Sequence, residues 1–310
     1  MRLFQRIAAS IFALHAFASA LPAMATDTLK VALQNPQVEK LSTDQFTFLE
    51  GPAFDGGHLL YFTDMPANAI YTYDLASKQI AQFMGDTHNG NGLLFNREGK
   101  LLLCEQDAGL ISAIDLNDKS RVVITSGYEG KRFNRPNDLV MDKSNGIYFS
   151  DPSWAPSNPQ PLKGVYYTDD KGSTALLVAD MDKPNGVVLT ADEKYLYVDD
   201  SGSDIVRRYP VLAPGKLGEK VDFAKLPGGS LFGGSGADGV AIDVEGRLFV
   251  TYRQGIAVFD AKGKMLGNIP FPEQVSNCTF AGKDMNELYV TGRKNLYRVT
   301  LPTRGLRFPQ

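Results

Sequence analysis

Apolar residues in this chain fall into short runs, some alternating with polar residues and some unbroken, separated by clusters of Gly, Asp, Asn and Pro. Almost no segment shows the 3.6-residue period of an amphipathic helix. Short runs rich in Val, Leu, Tyr and Phe predict strands, and the polar clusters between them predict turns.

Aligning the runs exposes a repeat. Units begin at Glu50 ("EGPAFDGGHLLYFTD"), Asn91 ("NGLLFNREGKLLLCE"), Asn137 ("NDLVMDKSNGIYFSD"), Asn185 ("NGVVLTADEKYLYVDD"), Asp238 ("DGVAIDVEGRLFVTY") and Asn277 ("NCTFAGKDMNELYVTG"). In each, a polar residue opens an apolar strand, a turn such as "DGG", "REGK", "KSNG" or "VEGR" follows, and a second strand rich in aromatic and aliphatic residues comes next. A period of roughly 40–50 residues with three or four strands per unit is that of propeller blades. The prediction is an all-β, six-bladed β-propeller forming one domain over residues 26–310. Segment 28–48, with "TLKVAL" and "FTF", is long enough to give the last blade a closing strand and so remove an exposed edge.

In a propeller the first strand of every blade lines the central channel, so the six openers should form a ring near one mouth. Glu50, Asn91, Asn137, Asn185, Asp238 and Asn277 all carry side-chain oxygen. Hard oxygen donors suit Ca²⁺, and less often Mg²⁺ or Mn²⁺, far better than Zn²⁺. Two carboxylates offset a divalent charge, and neutral amides complete the shell without repulsion. Taken singly, each of these residues could instead cap a turn; the shared register is what points to a divalent metal in the channel. A metal beside a water-accessible mouth suggests hydrolysis, with a ligand carboxylate handling the proton. Asp238, approached through the flexible "GGSGADG", is the better base; Glu50, followed by Gly-Pro, reads as an anchor. A second set, Asp64, Glu105, Asp151 and Asp200, closes the second strand of four units and is expected to accept structural hydrogen bonds from backbone and Ser/Thr groups.

Composition changes this picture in four places. Residues 1–25 combine Arg2 and Arg6, an apolar run and "AMA", the layout of a secretory leader, so the mature chain is expected in the periplasm or secreted, and free of the membrane. Removing the two arginines takes the formal charge from -3 to -5, and the remaining basic residues form no block, which argues against nucleic-acid binding. Only His58 and His88 remain after the leader, too few for a His-rich zinc site or a His-based nucleophile triad. Cys104 and Cys278 both sit in strand-like runs, where buried free thiols are expected over a disulfide.

"EGPAF", "RPNDLVMD", "IYFSDPSW", "KPNGVVLT", "LYVDDS" and "ADGVAIDVEGRLFV", in this order across the mature chain, resemble the SMP-30/gluconolactonase family, and its bacterial gluconolactonase-like members in particular. The resemblance implies a six-bladed propeller that uses one divalent metal to open sugar lactones. It implies metal ligands at Glu50, Asn137, Asn185 and Asp238, with Asp238 also in proton transfer, and Arg135 as a substrate contact; on its own Arg135 reads as a solvated loop charge. Asn137 and Asn91 are further substrate-binding candidates, Asn91 and Asn277 are expected to reach the metal only through water or substrate, and His88 and Trp154 are rim positions at most. Ca²⁺ is the expected cation, with Mn²⁺, Mg²⁺ or Zn²⁺ as alternatives, and the expected partner is a small lactone bound by a monomer. Two other readings stay open at this point. One is a phosphotriesterase or non-sugar lactonase at the same site. The other is a non-catalytic binding propeller with a structural metal.

Overall fold

The computed structural model describes residues 28–153, 163–228 and 236–309. The leader, Trp154 and most of the Gly-rich approach to Asp238 lie outside them. Every named strand belongs to one of six antiparallel sheets. Blade I shows the plan: Leu49–Phe54, Leu59–Asp64, Ala69–Asp74 and Ile80–Met84 pair in chain order from the axis outward. Innermost strands of the next four blades are Gly90–Phe95, Leu139–Met141, Pro184–Leu189 and Val240–Ile242, and that of blade VI is Val275–Ala281. Each innermost strand packs against its counterparts in the two adjacent blades, and blade VI against blade I, so the ring closes.

Burial follows from this radial stacking. Leu49–Phe54 is buried along its whole length, whereas every residue of Ile80–Met84 at the periphery is at least partly exposed. The core is divided into six apolar clusters, one between each pair of neighbouring blades. Ala53, Tyr61 and Ile70 of blade I, for example, meet Leu93, Phe95 and Leu103 of blade II. A sheet with both faces against neighbours needs apolar residues on both, which is why the inner strands read as unbroken hydrophobic runs.

Two sequence expectations are refined. The closing strand does come from segment 28–48, but it is Val38–Lys40, paired with Leu296–Thr300. "TLKVAL" instead falls in a short helix over 28–34, whose Leu29 and Leu33 pack into the cluster between blades V and VI. Blade IV carries an added hairpin, with Lys216–Leu217 folding back on Ile205–Ala213, which accounts for part of its longer repeat. Cys104 and Cys278 are buried and unpaired. No helix among the described residues is long and apolar enough to cross a membrane.

Candidate functional site

Inner strands bulge where they start: pairing with the second strand skips between Glu50 and Ala53, Gly90 and Leu93, and Pro184 and Val187. A bulge bends the strand and re-aims its side chains; in blades II and IV the residues inside it are the opener and its follower, and in blade I the opener Glu50 stands at its edge. Gly51 shows how tight the ring is. Its φ is +45°, and a Cβ there would lie 2.3 Å from the Asn91 carbonyl oxygen.

Glu50, Asn91, Asn137, Asn185 and Asp238 line one cavity of 350 Å³, and Arg135 stands on its wall. All six candidate positions are thus brought together. Asn277, the sixth opener, is not among them. The amides of Gly92, Gly186 and Gly239 donate to the carbonyls of Asn137, Asp238 and Ser276, which makes Ser276 the opener of blade VI. Asn277 sits one residue deeper, level with Gly51, Gly92, Asp138, Gly186 and Gly239. A one-residue offset exchanges the two faces of a strand, so the last unit opens at Ser276 and not at Asn277 as its polar-then-apolar pattern suggests.

The site has oxygen acceptors to spare. Oδ1 of Asn91, of Asn137 and of Asn185 is buried without a hydrogen-bond partner. Asn185 Nδ2 donates to Asp238 Oδ1 at 2.8 Å and to Ser201 Oγ at 2.9 Å, which turns its oxygen inward. Glu50 accepts from its neighbour Gly51 N at 3.1 Å. Burial pushes the Glu50 carboxyl up to about 8, and burial, with Glu50 and Asp199 nearby, raises Asp238 well above the carboxylate range. Unpartnered buried oxygens and carboxyls starved of positive charge are what a hard cation would satisfy, so the residues fit the expected metal. Among the described residues no three His, Cys, Asp or Glu gather at metal-binding distance; the candidate set is two carboxylates completed by amides.

Two acids escaped sequence reasoning. Asp199 is fully buried, accepts from Gly186 N at 3.1 Å with Oδ1, and leaves Oδ2 unpartnered. Asp138 accepts from Leu139 N at 2.9 Å, and burial raises it to about 7. Both underlie the ring, and both stand beside a residue that drew attention instead: Asp200 in "VDDS" and Asn137 in "PND".

The strand-closing carboxylates hold the loops that deliver the openers. Asp64 accepts from the amides of Thr47 and Phe48, Asp151 from Asn134 and Arg135, and Asp200 from Asp182 and Lys183. In each case these are the third and second residues before the opener. Glu105 departs from the pattern: it takes the His88 ring, the Ser112 hydroxyl and Arg121 Nη1, all side chains. His88 is therefore tied to Glu105 and does not line the cavity. Arg135 is held at its backbone by Asp151 and at its guanidinium by Asp107.

The profile of the SMP-30/Gluconolactonase/LRE-like region matches residues 48–294. This chain belongs to that family. The match runs from just before Glu50 to the end of blade VI's second strand, and so takes in every candidate site residue. Gluconolactonase of Zymomonas mobilis subsp. mobilis is 30% identical over 295 residues, covering 86% of this chain and 82% of its own. A gluconolactonase structure from Xanthomonas campestris superposes with a TM-score of 0.79 at 29% identity, covering 88% of this chain and 92% of that one. The structure of regucalcin from Agrobacterium tumefaciens, described as a calcium-binding protein, shares the fold with a TM-score of 0.76 at 19% identity, over 88% and 96% of the two chains. The SMP-30 family's six-bladed propeller is thus the architecture of this chain as well.

Proposed function

We propose that this protein is a divalent-metal-dependent hydrolase that opens a gluconolactone-type sugar lactone in the channel mouth. Lactone hydrolysis as a class is supported by family membership and the gluconolactonase relatives. The finer reading rests on one observation: three orphaned amide oxygens and two carboxylates converge in a cavity that also holds an arginine. Glu50, Asn137, Asn185 and Asp238 would hold the cation, with Ca²⁺ favoured by the all-oxygen set. When bound it would supply Lewis-acid polarisation of the lactone carbonyl.

The chain's own residues do the rest. Arg135, Asn137 and Asn91 border the same space and orient the sugar hydroxyls. Asp238 borders the channel-mouth cavity, so water can reach it, and Asn185 Nδ2 fixes one of its oxygens. Its ionised carboxylate takes the proton of the water that attacks the carbonyl carbon and returns it to the departing ring oxygen. The reading extends to a monomer exported through the 1–25 leader, which N-terminal sequencing and light scattering of the mature protein would check.

Proton release from glucono-1,5-lactone at mildly acidic pH, with Ca²⁺, Mn²⁺, Zn²⁺ or chelator, tests the reaction. We expect cation-dependent turnover that falls at least about 100-fold in Asp238→Asn, the scale of a lost general base. A folded, cation-binding protein without turnover would overturn the sugar-lactone reading.

A further inference from the structure

We infer that the substrate lactone carries an ionised acid group remote from its ring ester, received by Arg253 and Arg293. The inference rests on the lactonase reading above. A second cavity, of 610 Å³, lies beside the first and shares Asp238, Gln274 and Arg293 with it. A ligand whose ester reaches Asp238 therefore has room to extend along Arg293 into this second space. Its farther wall includes Arg253 and Lys183.

That wall is cationic and poorly neutralised. Among the described residues, neither Arg253 nor Arg293 lies within ion-pair distance of a carboxylate. Arg293 Nη2 donates to the neutral Gln274 Oε1 at 3.2 Å, and its guanidinium lies 5.6 Å from the Phe48 ring centre. Arg253 lies along Gly236, whose φ is +68° and where a Cβ would meet the Arg253 Cγ at 2.8 Å. The glycine thus leaves the arginine its place on the wall. Asp182, the acid on this side, is already taken by Lys163 Nζ at 2.8 Å, and Asp238 belongs to the reacting end.

A neutral sugar has hydroxyls enough for Arg135 and the ring amides, and leaves these two guanidinium groups without a partner of matching charge. Carboxylate and phosphate both match the guanidinium fork. Hydrolysis would then join water's oxygen to the carbonyl carbon, break the ring C–O bond and leave an open-chain product with an acid group at each end.

The test uses the mature Ca²⁺-loaded protein and three lactones: glucono-1,5-lactone, its 6-phosphate ester and glucaro-1,4-lactone. We expect one of the two anionic lactones to be hydrolysed with a kcat/KM about tenfold or more above the neutral one, and which of them leads identifies phosphate or carboxylate as the group. Arg253 lines the second cavity alone. Arg253→Gln should lower kcat/KM for the preferred anionic lactone about fivefold through KM, the scale of one partly exposed ion pair, and leave the neutral lactone unchanged. Arg253→Lys, which keeps the charge but not the planar fork, should retain part of the preference and fall between wild type and Arg253→Gln. A neutral lactone turned over at least as well as both anionic ones, or an Arg253→Gln effect equal on all three, overturns the inference while the lactonase reading stands. No turnover of any lactone overturns both.

Discussion

Glu50 and Asp238 are acids placed where acids should not ionise unaided. The Glu50 carboxyl sits at about 8 rather than 4.5 because it is buried, and Asp238 is raised for the same reason and by Glu50 itself. A raised carboxyl binds its proton more tightly in the folded chain than in the unfolded one. In cation-free protein this stabilises the fold at the acid end and is lost as pH rises from about 4.5 to about 8. A bound cation reverses the preference. The Tm increase on adding Ca²⁺ should therefore be larger at pH 8 than at pH 5, and scanning calorimetry showing the opposite order would count against a cation at Glu50 and Asp238. Arg135 offers a separate check. Its guanidinium lines the cavity but is absent from the proposed ligand set. Arg135→Lys loses the planar fork, and should raise KM for a sugar lactone about tenfold, the scale of a lost charge-assisted hydrogen bond, with calorimetric Ca²⁺ affinity unchanged.

Among the elements, the second strand of each of three blades does more than pair. Its terminal Asp accepts two successive amides of the loop before the next functional residue, so one side chain sets where the opener sits. In blade III those amides belong to Asn134 and Arg135, at 2.8 and 2.7 Å. Asp151→Ala would leave buried amides unpaired, at a cost of about 1–3 kcal/mol. The expected result is a lower urea midpoint together with a higher KM, because the loop that carries Arg135 is released. An unchanged KM at reduced stability would confine Asp151 to a structural role. That these carboxylates are structural was legible from the sequence, since "YFTD", "IYFSD" and "LYVDD" recur in register. That they grip the loop amides was not, because the partners lie 16 to 18 residues away along the chain.

Across the whole molecule, closure of the ring is what makes the mouth rigid. Val38–Lys40 completes blade VI, and Arg298 reaches Glu39 across that seam and Glu287 on the strand behind it. Starting the mature chain at Leu41 would expose the strand Leu296–Thr300 as a free edge and strip Leu29 and Leu33 from the adjacent core. Such a variant should unfold at markedly lower urea concentration and aggregate more readily; an unchanged midpoint would show the seam to be dispensable. At the other end of the channel Leu306 and Phe308 border a small space of about 70 Å³ with Asp138 and Asn277. The amide of Leu306 is pinned to the Ile242 carbonyl. The roomier mouth of the channel is therefore the one on the Glu50 side.

The repeat of a polar opener, a turn and an aromatic-rich strand by itself determined the architecture. Blades are local units whose strands pair in chain order, so period and alternation suffice to count them. It also determined five of the ring oxygens, because those openers keep one register from blade to blade. Only the tertiary structure decided the rest. Asn277 is displaced from the ring by a single-residue shift that a strand pattern cannot reveal. Asp138 and Asp199 act on the ring carboxyls from beneath because the channel encloses them, and burial is set by neighbouring blades rather than by adjacent residues. Arg253 and Arg293, 40 positions apart on blades V and VI, face one cavity for the same reason: the ring brings together loops that the chain keeps distant.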